Sequence, residues 1–360
     1  MTEQSNCTES PRLWIGLDVS KKTFTAAAKL PWEEKAIYPT DCDEFENNRT
    51  GTRRFCKWLG ELEKEFEGPF GVAMEATGPY SFRLYDNLKK IRPELHVSIC
   101  NPLSVSYYMR SIGPNKTDRA DAAAIACFAA HRRPARYAEP SADQSELRRL
   151  TRDRTFLVDS RTEYQNRIET ERDASSRRRM KTVVAAIDRQ IDDIDAEIEK
   201  YLSAKASSDC RQEIELMRTV PGVGRFSATV IYGELGSLAN YTRKQLSAMS
   251  GICPTTQQSG TSLHKGGLSR RGSRWLRRIL YLDTRQTILK SPAMGEFHER
   301  MLKKPDSSKK GARCACMRKL LLILRGIVVS KKTYDPNHIS VRPALPDKNA
   351  EKTEKSEMHA

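Results

Sequence analysis

The 360-residue sequence lacks any apolar run long enough to cross a lipid bilayer. Its longest apolar stretch, LLLILRGIVV at 320–329, is interrupted by Arg325 and falls well short of the roughly 18 residues that a span requires. The first residues, MTEQSNCTESPRLW, do not show the basic-then-apolar order of a signal peptide. We therefore expect a cytoplasmic protein that acts away from membranes.

The sequence also lacks the cysteine and histidine patterns of metal-binding or disulfide-rich proteins. Its nine cysteines are scattered, with Cys314 and Cys316 the only close pair, and its six histidines are equally dispersed. Because no zinc-type spacing appears, a structural zinc site is not expected. Reduced and mostly buried thiols are the expectation.

Negative charge is scarce toward the C-terminal end, where a large positive excess is concentrated. The whole chain carries a net charge of +16, and the segment 259–333 alone holds 19 Lys and Arg against 4 Asp and Glu. A charge run of this kind is often only a solvated face. A one-sided excess of this size favours a surface that binds the phosphates of nucleic acid.

Strands alternate with helices over 12–138, which predicts a layered α/β domain. RLWIGLDVSKKTFTAAAKL at 12–30 reads as two strands joined by a polar turn, with Asp18 near the end of the first strand. FGVAMEATGPY at 70–80 reads as a strand that ends at Glu75. A helix is predicted to start near Asp118.

Glycine and proline are both absent between Ala142 and Pro221, and charged residues dominate there. Five apolar residues recur at intervals of four, three, four and four, close to a coiled-coil seam: Ile187, Ile191, Ile194, Ile198 and Leu202. We predict a long antiparallel helical hairpin or coiled coil over 139–210, broken near 172–180, that projects as an arm and joins copies of the chain as dimers or tetramers. A plain helical bundle is the alternative.

The third region, 211–336, is predicted to be mainly helical, and the tail 337–360 is predicted to be disordered. VPGVG at 220–224 sits between two amphipathic segments, so Gly222 and Gly224 would leave backbone N–H groups open to a phosphate. This pattern is typical of a helix–hairpin–helix that binds the DNA backbone. An ordinary packing corner is the alternative.

Two aspartates, Asp118 and Asp121, would be neighbours on one helix face, about 5–6 Å apart. At that distance two charges repel by about 3 kcal/mol at an effective dielectric of about 20, and the helix dipole offsets about 0.3–1 kcal/mol for each. Early-helix aspartates are commonly caps. However, Asp18 and Glu75 end strands that should meet at the same sheet edge, and four carboxylates suit Mg²⁺ or Mn²⁺ in phosphodiester chemistry. Lys116 and Arg119 lie beside the pair and would approach the same phosphates or be solvated.

Five ordered motifs carry a resemblance to a known family: IGLDVSKKTF (15–24), AMEATGPY (73–80), NPLSVSYYMRSIGPNKTDRADAAAIA (101–126), VPGVG (220–224) and GICPTTQQSGTS (251–262). Each motif alone is weak, but the set resembles the DEDD transposases, the insertion-sequence recombinases related to Piv DNA invertases. The resemblance covers nearly the whole chain, from about residue 13 to about residue 336.

The resemblance implies an N-terminal domain of RuvC, RNase H-like fold, whose metal-binding acids are Asp18, Glu75, Asp118 and Asp121. It also implies a C-terminal transposase domain with a catalytic serine that matches Ser259. That serine would attack a DNA phosphodiester and form a phosphoserine link before strand exchange. Members similar to this chain use a structured non-coding RNA as a guide, which delegates sequence choice to base pairing.

The basic segment near Trp275 would hold DNA or RNA backbone through five arginines: Arg270, Arg271, Arg274, Arg277 and Arg278. Trp275 itself is expected in the core. Two other functions stay open at this point. One is a RuvC-type, structure-selective nuclease that uses water as nucleophile and leaves Ser259 as a turn residue. The other is a nucleic-acid-binding protein without catalysis, against which the full set of four acids argues.

Overall fold

The computed structural model describes residues 13–29, 36–39, 44–66, 68–112, 117–252, 254–259, 262–268, 272–304 and 308–337. Nearly all of the predicted disordered tail, 338–360, lies outside these ranges. The chain divides into two units, Met1–Glu139 and Pro140–Ala360. Within the described ranges, no helix has both the length and the apolar character needed to cross a membrane.

The first unit is built on a five-stranded mixed sheet. Its strands are β1 (Leu13–Val19), β2 (Thr23–Lys29), β3 (Phe45–Glu46), β4 (Phe70–Glu75) and β5 (His96–Cys100). They lie in the order β3-β2-β1-β4-β5. The pairs β3–β2 and β2–β1 are antiparallel, whereas β1–β4 and β4–β5 are parallel. This confirms an α/β first unit.

Four helices surround the sheet: α1 (Arg49–Glu65), α2 (Pro79–Ile91), α3 (Pro102–Ile112) and α4 (Asp118–Arg132). Both faces of the central strand are apolar, as expected for a strand covered on each side. Ile15 and Leu17 join a core that includes Phe24 and Phe55, whereas Trp14 packs in a second cluster with Ile125 of α4. The α4 side of the sheet therefore has its own small core.

The second unit begins with two long helices, α5 (Ala142–Thr170) and α6 (Ala174–Ala204). They run antiparallel, because ion pairs join Arg149 to Glu197, Arg154 to Asp195 and Arg161 to Asp188. The break between them falls at 171–173, at the start of the predicted interval. The helix resumes early because an aspartate caps it, with the Asp173 carboxylate accepting a hydrogen bond from the Ser176 N–H at 2.6 Å.

The remainder of the second unit is mainly helical. It comprises α7 (Ser208–Arg218), α8 (Arg225–Leu235), a 3₁₀ turn (Leu238–Asn240), α9 (Arg243–Met249), β6 (Pro254–Ser259), β7 (Ser262–Leu268), α10 (Arg274–Lys290), α11 (Pro292–Leu302) and α12 (Lys309–Ser330). A single core joins these helices to the bases of α5 and α6. The antiparallel pair β6–β7 is a feature that the sequence analysis did not predict.

Candidate active site

Asp18 and Glu75 lie at the ends of neighbouring parallel strands. The last pair in the β1–β4 register is Leu17 with Met74, so each acid is the next residue along its strand. Both acids are half-buried. The expected meeting of these two carboxylates at one sheet edge follows from the parallel pairing of β1 and β4.

The helix α4 reaches the same edge because it packs directly on a glycine in β1. A Cβ atom built on Gly16 would lie 2.0 Å from the Ala122 carbonyl oxygen and 2.4 Å from the Ala126 nitrogen. Only glycine permits so close a backbone approach. The contact at Ala122 places the neighbouring Asp121 beside the strand ends.

The first turn of α4 carries both Asp118 and Asp121. Thr117 caps this helix, since its hydroxyl accepts a hydrogen bond from the Ala120 N–H at 3.2 Å. Asp121 is half-buried, whereas Asp118 is exposed. Negative charge in the first helical turn is favoured by the helix dipole.

The electrostatics show that three of the four acids share one environment. Burial raises the pKa of the Glu75 carboxyl above its ordinary value, and the negative charges of Asp18 and Asp121 raise it further. The adjacent thiol of Cys100, paired with Glu75 across the sheet, has its pKa raised to about 11 by burial and by the Glu75 charge.

This donor set matches a hard divalent cation in chemistry, because it offers carboxylate oxygens without imidazole or thiolate. A bound cation would relieve the like-charge repulsion that raises the Glu75 pKa. No group of three or more His, Cys, Asp or Glu side chains in the described ranges is already arranged to hold a metal ion. The three acids are therefore electrostatically coupled, and a cation would have to draw them closer.

Of the two basic residues predicted beside the acids, only Arg119 lies in the described part of the chain. Lys116 lies outside the described residues. Arg119 lies with its guanidinium 5.2 Å from the centre of the Tyr38 ring, and the Tyr38 hydroxyl donates to the Arg119 carbonyl at 3.4 Å. Tyr38 thus supports Arg119 next to the acids by a cation–π contact.

In the second unit, Ser259 is the last residue of β6. In the backbone register it pairs with Ser262, the first residue of β7. The sequence predicts a polar loop here, whereas in the structure the backbone of Ser259 ends a strand. The described backbone positions Ser259 where a strand gives way to a connection of two residues.

The VPGVG segment joins α7 to α8, as predicted. Gly222 has φ +93°, and a Cβ atom there would lie 2.6 Å from the Thr287 nitrogen of α10. Gly224 precedes α8, and a Cβ atom there would meet nothing within 4 Å. The two glycines therefore differ: Gly222 is required for packing, whereas Gly224 borders open space at a helix N-terminus.

Three of the five predicted nucleic-acid-binding arginines lie in the described structure, whereas Arg270 and Arg271 lie outside it. Arg277 donates to the Gly272 carbonyl at 2.8 Å, so it ties α10 to the segment before it. Arg278 pairs with Asp159 of α5. Arg274 is exposed and stacks over Trp275, 4.3 Å from the ring centre. Arg274 thus presents the most open charge of the three.

Two transposase family models match this chain. A model of DEDD transposases of the IS110 type matches residues 15–170, and a model described as "Transposase IS116/IS110/IS902 family" matches residues 214–299. Together they cover more than half of the chain, and they include Asp18, Glu75, Asp118, Asp121 and Ser259. The chain belongs to the IS110 family of transposases. Its activity is therefore that of a transposase or recombinase, which acts on DNA.

Individual relatives of this transposase include both inversion and transposition proteins. It is 26% identical to a pilin gene-inverting protein of Moraxella bovis over 337 residues, which cover 90% of this chain and 98% of the relative. It is 28% identical to the transposase for insertion sequence element IS1111A of Coxiella burnetii, over 76% of this chain and 77% of that protein. A further relative, the transposase for IS1328 of Yersinia enterocolitica, is 26% identical over 74% of this chain.

Several residues at the site of this transposase were missed from sequence. Gly16 was a detectable signal, because glycine inside a strand often marks a close backbone approach. Thr77 and Ser81, which follow Glu75, bond to the strand ends. Nothing in the local pattern identified Tyr38, because its contact with Arg119 joins residues 81 positions apart.

Proposed function

We propose that this transposase cuts and rejoins DNA with two sets of groups: a divalent-cation site on the first unit and a serine nucleophile on the second. The observation that carries the proposal is geometric: Asp18 and Glu75 end paired parallel strands, and Asp121 lies on the helix that packs against β1. Burial raises the pKa of Glu75 and the charges of Asp18 and Asp121 raise it further, which a bound cation would relieve. The strand order and the mixed pairing of the sheet support an RNase H-like, RuvC-type first unit.

The residues that would hold Mg²⁺ or Mn²⁺ are Asp18, Glu75 and Asp121, with Asp118 added from the exposed side of the same helical turn. When bound, such a cation supplies stabilisation of negative charge on the attacking and leaving oxygens of a phosphodiester. Arg119, held on Tyr38, would contact a phosphate of the same strand. The exposed position of Asp118 makes it the acid that faces incoming DNA.

The Ser259 hydroxyl is the proposed nucleophile. Its oxygen would bond to the phosphorus and lose its proton, while the bond from phosphorus to the deoxyribose oxygen breaks and releases a hydroxyl end. A hydroxyl of a second strand would then attack the phosphoserine ester, restoring the serine and joining the strands. The backbone position of Ser259 at the end of β6, next to the connection to β7, is compatible with this role.

The test is a strand-exchange assay on a plasmid that carries the gene with its native flanking DNA, followed by denaturing gels for covalent adducts. We expect recombination and an adduct with the wild type, and neither with Ser259→Ala. Ser262→Ala, on the facing strand, is the matched control and should keep both. Asp121→Asn should lose both recombination and the adduct. Wild type treated with a chelator should also lose both, and addition of Mn²⁺ should restore them.

The same assay separates the competing functions. Cleavage by Ser259→Ala without an adduct would establish the water-dependent nuclease and end the role assigned to Ser259. If Ser262→Ala loses recombination and the adduct while Ser259→Ala keeps both, the nucleophile is Ser262 rather than Ser259. Binding without cleavage in every variant, wild type included, would leave only nucleic-acid binding.

Guidance by a structured non-coding RNA is a further part of the proposal. Residues 259–333 contain 19 Lys and Arg but only 4 Asp and Glu. This positive charge supports a partner with more phosphates than a short DNA site alone. We expect the protein purified from cells to carry an RNA transcribed from the flanking DNA, detectable by sequencing of co-purified RNA. Recombination in vitro that proceeds after complete RNase treatment of the purified protein would refute guidance.

The helical arm is proposed to join copies of this transposase. Its middle and distal parts leave apolar side chains uncovered, with Phe156 65% exposed and Val183 38% exposed. Burial of such side chains favours association. Light scattering of the full chain should report a dimer or tetramer, and Phe156→Asp should reduce the mass. A monomeric wild type at micromolar concentration would refute this part.

A further inference from the structure

Two hydroxyl groups connect the strand ends that carry Asp18 and Glu75. The Thr77 hydroxyl lies 3.2 Å from the Val19 carbonyl oxygen, one residue after Asp18. The Ser81 hydroxyl lies 2.7 Å from the Glu75 carbonyl oxygen, and the two hydroxyls are 2.7 Å apart. The hydroxyl oxygen of Ser81 also accepts from the Thr77 N–H at 2.9 Å.

These bonds form a continuous path from the end of β1 to the end of β4. The Thr77 hydroxyl donates to the Val19 carbonyl and the Ser81 hydroxyl donates to the Glu75 carbonyl, and the bond from the Thr77 N–H to the Ser81 oxygen completes the path. The 2.7 Å contact between the hydroxyls is a hydrogen bond only when one of them turns away from its carbonyl, because each hydroxyl has a single proton. Ser81 is fully buried, which makes the network costly to break, because a buried polar group left without a partner costs about 1–3 kcal/mol. The network is therefore a firm link between the two strands.

The link begins where the ladder between the strands stops. The last β1–β4 pair is Leu17 with Met74, so no further pair of that register fixes Asp18 against Glu75. The chain turns back at Gly78, whose φ of +66° is one that other residues rarely adopt, and Ser81 then lies in the first turns of α2. This turn returns the serine hydroxyl to the carbonyl of Glu75.

We propose that Thr77 and Ser81 are positioning residues that fix the separation of the Asp18 and Glu75 carboxylates for a divalent cation. The inference rests on the proposed cation site. Neutral hydroxyls suit the task, because they hold two mutually repelling acids without adding a counter-charge that would compete with the cation. Groups that hydrogen-bond directly to metal ligands typically contribute about 10- to 100-fold in metal affinity, and because these hydroxyls act through the backbone we expect the lower end of that range.

The experiment measures Mn²⁺ binding to the full chain, without DNA, by the electron paramagnetic resonance signal of free Mn²⁺. Thr77→Val removes the link and should weaken binding about tenfold, and Ser81→Ala should act in the same direction. Thr77→Ser keeps the hydroxyl and should restore most of the affinity. Urea unfolding of each variant reports its stability separately.

Thr52→Val is the matched control. Thr52 is a fully buried threonine of the same unit, and its hydroxyl donates to the Asn48 carbonyl at 2.7 Å, in α1 rather than at the acids. It should lose stability without losing Mn²⁺ affinity. Equal Mn²⁺ affinity in wild type, Thr77→Val and Ser81→Ala would overturn the inference, and so would a Thr77→Ser variant as weak as Thr77→Val.

Asp18→Asn separates failure of this inference from failure of the proposed function. If the wild type binds Mn²⁺ no better than Asp18→Asn does, the proposed cation site is refuted, and the positioning role of the hydroxyls is refuted with it. If Asp18→Asn clearly loses Mn²⁺ affinity while Thr77→Val keeps the wild-type affinity, the cation site is supported and only the positioning role of the hydroxyls is refuted.

Discussion

Replacing Gly16 by alanine should separate the strand ends from the helix that carries Asp121. The new methyl group would overlap two backbone atoms of α4, at 2.0 Å from the Ala122 oxygen and 2.4 Å from the Ala126 nitrogen. Neither atom belongs to a flexible side chain, so the whole helix must move away from the sheet. Overpacking of a core typically costs about 1–3 kcal/mol, and a clash with backbone belongs at the upper end or beyond.

A second glycine of the same unit provides a control, because its replacement by alanine should stabilise the fold rather than destabilise it. Gly60 lies inside α1, and a Cβ atom there would meet nothing within 4 Å. Gly60→Ala should therefore raise the free energy of unfolding by about 0.5–1 kcal/mol, since alanine restricts the unfolded chain and favours the helix. A difference of about 3.5–4 kcal/mol or more between the free energies of unfolding of the two alanine variants is the expected result.

Urea unfolding followed by far-ultraviolet circular dichroism measures both variants, with the two units fitted as separate transitions. The strand-exchange assay then asks whether the displaced helix disables the site. We expect Gly16→Ala to lose recombination even at temperatures where it remains folded, because Asp121 no longer lies beside Glu75. A Gly16→Ala variant as stable and active as Gly60→Ala would refute the packing of α4 on β1 described above.

Two further predictions concern the second unit. Burial raises the pKa of Asp283 to about 7, from 3.8, while its bond from the Ser227 hydroxyl at 2.6 Å only partly offsets the shift. The folded chain thus keeps a proton that the unfolded chain has lost, so stability should fall as pH rises from about 4 to about 7. Asp283→Asn should remove this fall and stabilise the unit above pH 7 by at most about 4 kcal/mol, and a variant with the wild-type pH profile of unfolding would contradict this. Gly222→Ala should destabilise by about 3 kcal/mol or more, because the new methyl group would clash with the Thr287 backbone, whereas Gly224→Ala should cost about 0.5–1 kcal/mol, because alanine is a poorer N-cap than glycine. Equal melting curves for the two variants would show that Gly222 is not packed on α10.

Much of the first unit was predictable because its signals are local. Alternating apolar residues marked β1 and β4, and the chain order of strands and helices placed Asp18 and Glu75 at strand ends. Thr117 before Asp118 is a recognisable cap, so the start of α4 was also readable. Parallel pairing then follows from the crossover connection between the two strands.

The features that sequence reasoning missed depend on contacts between distant segments. The hairpin of β6 and β7 has mostly polar residues, PTTQQS and SLHKGGL, so neither strand shows the apolar alternation that marks a half-buried strand. The role of Gly222 depends on Thr287, 65 positions later. Local patterns carry no information on such pairs.

The number of basic residues in the sequence likewise does not reveal which of them are free to bind nucleic acid. The count of basic residues in 259–333 treats all arginines alike, but the fold uses them differently. Arg277 binds backbone carbonyls and Arg278 binds Asp159, whereas Arg274 lies exposed on an aromatic ring. Because an arginine engaged in the fold must give up those bonds to take a phosphate, Arg274→Ala should weaken DNA binding and its salt dependence without loss of stability. Arg277→Ala should instead lower stability first, so unfolding and binding measured on the same two variants distinguish a phosphate contact from a structural bond.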